Sequence, residues 1–191
     1  MKTMKTITTT IKLFAILMVL VGIIYPFATT ALAQLFFPKE AGGSLLHDPG
    51  GNLTGSSLIG QPFSDQKYFW SRPSATSGYP YNPMASGGSN LGPTNKDLLD
   101  QISNRTELLK SSGIQAPVPS DLVEASASGL DPHISMQSAQ IQIPRVARAR
   151  NLSEETLNKL VVEHVENRQF GFIGEQRINV LELNLALDKM K

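Results

Sequence analysis

The sequence predicts an α+β protein in which a single N-terminal transmembrane helix is followed by one mixed α/β extracytoplasmic domain. Residues 13–37 carry no charged side chain. The residues after them combine helical periodicity with short apolar runs between turn-forming residues. We therefore predict three regions: a cytoplasmic N-terminus over residues 1–12, a transmembrane helix over 13–37 and an extracytoplasmic domain over 38–191.

The uncharged segment is long enough to span a bilayer. Its 25 residues rise roughly 37 Å as a helix, and a hydrocarbon core is about 30 Å thick. Lys2, Lys5 and Lys12 precede the segment. Lys39 is then the only lysine or arginine before Lys67. The positive-inside rule places the N-terminus in the cytoplasm and the domain outside, so we expect a single-pass protein of the cell membrane in contact with lipid.

A cleaved signal peptide is the alternative interpretation of this segment. The lysines form a basic region, residues 13–24 form an apolar region, and Ala31-Leu32-Ala33 resembles a small-residue cleavage site. The apolar run resumes at Leu35-Phe36-Phe37, which a signal peptide does not need, so we favour the anchor. Both interpretations place the domain outside the cytoplasm.

Charge and composition exclude several classes of function. The 17 basic residues include the three N-terminal lysines, which leaves 14 against 16 acidic residues in the rest of the chain. A slightly acidic domain without a basic run is a poor nucleic-acid binder, so no nucleic-acid partner is expected. The chain has no cysteine, which excludes disulfides, zinc–thiolate sites and a thiol nucleophile.

The first half of the domain reads as short strands and loop. Leu58-Ile59 and Tyr68-Phe69-Trp70 are short apolar runs between polar residues and predict strands. Residues 73–95 are rich in proline, glycine and serine and predict a long irregular loop. Thr94 is then predicted to cap a helix that ends at Gly113.

The second half of the domain reads as helices. Ser135 is predicted to cap a short helix that Pro144 interrupts, and Pro144 begins the next one. Ser153 is predicted to cap the clearest helix, whose apolar face includes a half-buried His164. Alternating leucines over residues 179–187 fit a strand, but Asn179 as a cap and the good helix formers favour a helix.

Two motifs contain residue types that occur in catalytic or phosphate-binding sites. The glycine-rich stretch 86–95 leads into a helix N-terminus but lacks the lysine–hydroxyl ending of a phosphate-binding loop, so it is interpreted as a structural turn. Ser126 or Ser128 with His133 and Asp131 could serve a hydrolase. No Gly-x-Ser-x-Gly elbow is present, and a turn followed by a helix cap is the simpler interpretation.

No metal site is expected, because the three histidines lie far apart in sequence. Three arginines are grouped at Arg145, Arg148 and Arg150, and the first two are predicted to share a helical face. Their partners are either Asp131 and helix carboxylates within the domain or an acidic partner protein.

Several stretches together resemble the C subunit of the Kdp high-affinity potassium-transporting ATPase. They are Gly60-Gln61-Pro62-Phe63, Tyr68-Phe69-Trp70-Ser71-Arg72-Pro73-Ser74, residues 86–95, residues 119–123, residues 126–135, residues 142–150 and residues 179–184. The resemblance implies a complex with a channel-like A subunit that conducts potassium, a P-type ATPase B subunit that hydrolyses ATP, and a small F subunit.

The resemblance also implies a role as a catalytic chaperone that promotes ATP binding by the ATPase subunit. A domain outside the membrane cannot touch cytoplasmic ATP, so such an effect has to be allosteric. We therefore expect no catalytic, cofactor-binding or metal-binding residue in this chain, with ATP bound by the ATPase subunit and potassium by the channel subunit.

The aromatic run at 68–70 and the loop over 73–95 are where we expect the contact with other subunits, because aromatic residues and arginines often anchor interfaces. The candidate interface residues are Tyr68, Trp70, Arg72, Ser86, Gly87, Gly88, Ser89, Asn90, Asp131, His133, Arg145 and Arg148. The alternative functions are an exported membrane-anchored hydrolase and a membrane-anchored binding protein.

Overall fold

The structure is a computed structural model that describes residues 2–48, 50–115 and 117–190. The chain divides into two units, Met1–Leu45 and Leu46–Lys191. The α+β class predicted from the sequence is confirmed, because an N-terminal apolar helix is followed by a mixture of helices and small sheets.

The first unit is almost entirely helical. Helix α1 (Lys2–Val19) runs through a π-helical turn into α2 (Tyr25–Phe36), and a short α3 (Pro38–Ala41) follows. The stretch Met4–Phe36 is long and apolar enough to cross a membrane, with a mean hydropathy of 2.4 in its most apolar window. The assignment of residues 13–37 as a transmembrane helix stays a prediction.

The π-helical turn, Leu20–Ile24, comes directly before Pro26. The backbone N–H of Tyr25 donates to the carbonyl of Leu20, five residues earlier. Proline has no N–H to donate, and its ring crowds the carbonyl four residues before it, here that of Gly22. A wider turn relieves this crowding and keeps the helix continuous.

The second unit combines short strands with short helices. In chain order its elements are β1 (Leu45–His47, beginning at the unit boundary), β2 (Leu53–Ser56), a 3₁₀ turn (Pro83–Ala85), α4 (Lys96–Ser111), a 3₁₀ turn (Ser120–Leu122), β3 (His133–Ile134), α5 (Met136–Gln140), α6 (Ile143–Arg150), α7 (Glu154–Glu163), β4 (Val165–Glu166), β5 (Arg177–Asn179) and α8 (Val180–Lys189).

A three-stranded antiparallel sheet lies at the centre of this unit, in the order β3-β5-β4. Ile178 of β5 pairs with Ile134 on one side and with Val165 on the other, and its side chain is fully buried. The helix α7 packs against α5, α6 and α8. The sheet and these helices together enclose the apolar core.

The predicted helix caps are largely confirmed. Side-chain oxygens of Ser135, Ser153 and Asn179 accept backbone N–H groups at 3.1, 3.1 and 3.2 Å. The tail is therefore the helix α8, as favoured from the sequence. The cap of α4 was assigned one residue too early, because the side chain of Asn95 and not of Thr94 accepts the backbone N–H of Asp97, at 2.7 Å.

The two strands predicted in the first half of the domain are wrong. Leu58-Ile59 lies in a turn, and Tyr68-Phe69-Trp70 belongs to no strand, with Tyr68 in a bend. The backbone of the aromatic run is hydrogen-bonded by side-chain amides from distant helices, as described below. Three of the strands that do form, β3, β4 and β5, are two or three residues long, too short for alternation to reveal them.

Candidate functional site

The aromatic run lies in the core because two side-chain amides bond its backbone. Asn184 accepts the Phe69 N–H through Oδ1 and donates to the Phe69 carbonyl through Nδ2, both at 2.9 Å. Gln142 accepts the Trp70 N–H at 2.7 Å and donates to the Trp70 carbonyl at 3.2 Å. Both amides are buried. They replace the partner strand that the sequence pattern predicted.

Arg145 fixes the same run from within the domain. Its Nη1 donates to the Gln66 carbonyl at 2.7 Å, and its Nη2 donates to the Tyr68 carbonyl at 2.9 Å and to Oε1 of Gln142 at 2.7 Å. The guanidinium carbon lies 4.3 Å from the centroid of the Trp70 ring. Burial lowers the pKa of Arg145 to about 10, so the side chain stays charged at neutral pH.

The other arginines of α6 have different surroundings. Arg148 is exposed, whereas Arg145 is only 4% exposed, so the two do not present one common face to solvent. Asp131, one partner considered for Arg145, is instead bonded by Arg72.

Tyr68 is held at the edge of the core. Its hydroxyl donates to Oδ2 of Asp188 at 3.0 Å, and Arg150 pairs with the other oxygen of that carboxylate at 2.6 Å. Burial, followed by the bond to Asp188, raises the pKa of Tyr68. The Arg150 guanidinium also lies 4.9 Å from the Tyr68 ring centroid.

A row of five paired ionisable side chains, which we call the charge chain, crosses from the loops to the sheet. Nη1 of Arg72 lies 3.2 Å from Oδ2 of Asp131. The other oxygen of Asp131 accepts from the His133 backbone N–H at 3.0 Å and faces Nδ1 of the ring at 3.1 Å. Nε2 of His133 lies 3.5 Å from Glu166, which pairs with Arg177 at 2.9 Å.

The charge chain keeps Asp131 ionised. Burial acts to raise the pKa of Asp131, but hydrogen bonds from His133 and the positive charge of Arg72 outweigh it and leave the pKa below its ordinary value. The backbone bond from His133 also confirms the turn predicted here from the sequence.

The charge chain borders a polar cleft of about 610 Å³. The cleft is lined by Arg72, Pro119, Ser120, Asp121, Asp131, His133, Ile134, Ser135, Gln137, Glu175, Gln176 and Arg177. One wall is fixed by Asp121, which accepts the Ser135 backbone N–H at 2.7 Å and the Ser138 hydroxyl at 2.5 Å. Three candidate interface residues, Arg72, Asp131 and His133, therefore meet at one surface.

The two serine-rich motifs contact each other beside this surface. The Gly87 N–H and the Ser86 hydroxyl both donate to the Ser128 carbonyl, at 2.8 and 3.1 Å. A Cβ on Gly88 would lie 3.1 Å from the backbone of Ala127, so the glycine permits this close approach. The remaining candidates in this loop, Ser89 and Asn90, are exposed.

The geometry of the serines does not supply a nucleophile–base pair. The hydroxyls of Ser126 and Ser128 each accept a backbone N–H of a following residue, at 2.9 and 3.1 Å. The ring nitrogens of His133 face the carboxylates of Asp131 and Glu166. Within the described part of the chain, no group of three histidine, aspartate or glutamate side chains is arranged to hold a metal ion.

Sequence reasoning missed four residues that organise these surfaces. Glu166 and Arg177 come from strands that no pattern predicted. The sheet register pairs them, so that Arg177 lines the cleft and Glu166 faces His133 beside it. Gln142, at the N-cap of α6, and Asn184, within α8, are amides beside apolar residues, and this is the signal that could have revealed them. A buried amide in such a position has to find partners.

Comparison with known proteins gives a consistent result. Residues 7–189 match the family model "KdpC: K+-transporting ATPase, c chain". The chain is 59% identical to the potassium-transporting ATPase KdpC subunit of Geobacter metallireducens, over 92% of this chain and 96% of that protein. It is 55% identical to the same subunit of Geotalea uraniireducens, over 98% and 99% of the two chains, and 54% identical to that of Methylococcus capsulatus, over 93% and 96%.

Proposed function

The chain belongs to the KdpC family of potassium-transporting ATPase subunits, and from this premise we propose that it is the non-enzymatic accessory subunit that joins the channel-like A, P-type ATPase B and small F subunits. The complex uses ATP and potassium. In this proposal ATP is bound by the B subunit and potassium by the A subunit, and this chain binds neither as its own cofactor.

The observation that carries the proposal is the convergence of Arg72, Asp131 and His133 at one polar cleft. The side chains of these three residues are 27%, 30% and 24% exposed. They are therefore rigidly paired and still accessible to a partner. Preorganised polar groups at a surface lose little conformational entropy on binding, which favours docking of another subunit. We assign this cleft and the adjoining Ser86–Asn90 loop as the subunit contact.

This contact is supported from within the domain by Tyr68, Trp70 and Arg145. The run they fix leads directly into Arg72, so the amide and guanidinium bonds determine where Arg72 lies. Their part in the interface is to position it. Arg148 lies on the exposed side of α6 and forms a separate, smaller contact in this proposal.

The topology determines how such a subunit acts on the ATPase. We place the N-terminus in the cytoplasm and the domain outside, following the lysine distribution. An extracytoplasmic domain then promotes ATP binding allosterically, through its membrane helix or through the A subunit, by favouring one conformation of the complex. The serine turns at Ser126 and Ser128 support this non-enzymatic role over the alternative of an exported hydrolase.

The test is the ATP dependence of the assembled complex carrying Arg72→Glu or Asp131→Arg, with Lys110→Glu as the control. Lys110 is exposed on α4 and away from the cleft. We expect both cleft variants to raise the KM for ATP or to reduce recovery of the other subunits, and the control to change neither. Wild-type behaviour of both cleft variants would show that the cleft is not the contact.

A further inference from the structure

The β4–β5 hairpin ends in a tip of large, exposed apolar side chains. Phe170, Phe172 and Ile173 are 87%, 73% and 47% exposed. Exposed apolar patches of a few hundred Å² are often functional. None of these residues belongs to the cleft or to the charge chain. We call this group of three side chains the hairpin tip.

Hydrogen bonds and ion pairs join the two arms of the hairpin below its tip. Gln169 and Ile173 exchange two backbone hydrogen bonds of 2.9 Å. Gln176 donates to Asn167 at 2.9 Å. The backbone of Phe170 has a φ of +53°, an uncommon conformation for a bulky residue. The turn that carries Phe170 is therefore hydrogen-bonded across its base.

The charges of the hairpin cancel. Arg168 pairs with Glu175 at 3.0 Å, and Arg177 pairs with Glu166 at 2.9 Å. Residues 169–174 carry no charged side chain. The tip can therefore leave water without stripping the hydration from an unpaired charge. The hairpin thus has an uncharged aromatic tip, with paired charges on the arms that lead to it. This arrangement is complementary to the interface of a lipid bilayer.

The exposed area of the hairpin tip distinguishes between the kinds of surface that could cover it. Taking a whole phenylalanine as about 200 Å², the three exposed side chains offer roughly 400 Å². A stable protein–protein interface needs about 800 Å² on each partner. The tip alone is too small to hold an untethered second copy of the chain or an untethered protein. Contact with a bilayer needs no such minimum area, because the membrane helix already tethers the domain. The tether raises the effective concentration of the tip at the bilayer surface.

We propose that the tip of the β4–β5 hairpin, through Phe170, Phe172 and Ile173, inserts into the surface of the lipid bilayer and gives the domain a second membrane contact. This proposal requires the membrane helix but does not depend on which subunit the cleft contacts. It goes beyond the assembly role proposed above.

The test uses the absence of cysteine. Phe172→Cys, in the full chain, is labelled with an environment-sensitive fluorophore and placed in nanodiscs of phosphatidylcholine containing shallow or deep spin-labelled lipids. Met84→Cys is the control, because Met84 is 89% exposed in another loop. The emission of Trp70, the only tryptophan, verifies folding. Recovery of the other subunits, measured in parallel, keeps this result separate from the assembly role.

We expect quenching of the label at position 172 by the shallow quencher, and little quenching at position 84. Phe170→Ser in the labelled chain should abolish the quenching. Adding phosphatidylglycerol should change little, since the tip is neutral. The proposal is overturned if position 172 is quenched no more than position 84. It is also overturned if the label is shielded only in the assembled complex, which indicates a protein partner, or only at high chain concentration, which indicates a second copy.

Discussion

Arg72 and Asp131 form a half-buried ion pair of 3.2 Å between residues that are 59 positions apart in the chain. The pair joins the segment that follows the aromatic run to the second serine-rich motif. Because Asp131 also bonds His133, and His133 faces Glu166, a change at this one carboxylate reaches both the loops and the sheet. The cleft is therefore one cooperative surface, and substitutions in it are expected to be non-additive.

Asp131→Asn should alter the pH dependence of stability. The folded-state pKa of Asp131 is lowered, so its ionised form adds stability above the unfolded value of about 4. That contribution is lost as the pH falls through the lowered folded pKa. The midpoint temperature of thermal unfolding should be higher for the wild type than for the variant at neutral pH. The difference between the two midpoints should disappear in acid. Glu107→Gln, at an exposed position of α4, should show no such closing.

Asn184→Leu should destabilise the domain strongly. It leaves the buried N–H and carbonyl of Phe69 without their partners, and we expect a loss of about 3 kcal/mol. Urea unfolding of the full chain in detergent, followed by Trp70 emission, measures it. Asn158→Leu on the exposed face of α7 should change stability little. Equal effects of the two variants would contradict the role given to Asn184.

Arg145→Lys should also destabilise, although it keeps the charge. A lysine cannot reproduce the fork that bonds Gln66, Tyr68 and Gln142 together, and we expect a loss of about 2 kcal/mol. The matched control is Arg148→Lys, three residues along the same helix and exposed. The unfolding midpoints of both variants test this prediction. An Arg145→Lys variant as stable as the wild type would contradict the role given to Arg145.

Gly60→Ala tests the packing beneath Arg72. A Cβ on Gly60 would lie 2.3 Å from the ring of Tyr81 and 2.9 Å from the carbonyl oxygen of Asp131. Tyr81 is buried, its hydroxyl donates to the Arg72 carbonyl, and burial raises its pKa to about 12. We expect a loss of about 1–3 kcal/mol from overpacking. Gly92→Ala, where a Cβ meets nothing within 4 Å, should be neutral.

Local chemistry explains what could be predicted from the sequence. Helix caps such as Ser153 and Asn179 act within three residues, so their signal is contained in a short window. The run at 68–70 was misassigned because its hydrogen-bond partners lie 72 and 115 residues away. No pattern within the run distinguishes an amide side chain from a neighbouring strand.

The candidate site was predicted only in part, because some of its residues are brought together by contacts between distant parts of the sequence. Arg72, Asp131 and His133 were selected through the resemblance, and the structure brings them together. Glu166 and Arg177 were not selected, because the register of two very short strands places them there. The apolar residues at the hairpin tip gave no helical or strand periodicity, so nothing marked them as a group before the turn was known.

Affinity purification of the complex from membranes, through a tag at the C-terminal end of this chain and with mass analysis of the co-purifying proteins, tests the central claim most directly. The account predicts that a P-type ATPase and a channel-like protein are recovered in equal amounts with the wild-type chain. It predicts lower recovery or weaker ATP binding with Arg72→Glu. Elution of the wild-type chain alone, cleaved after Ala33 so that Gln34 is its first residue, would contradict the account, because an exported soluble protein is not an anchored subunit.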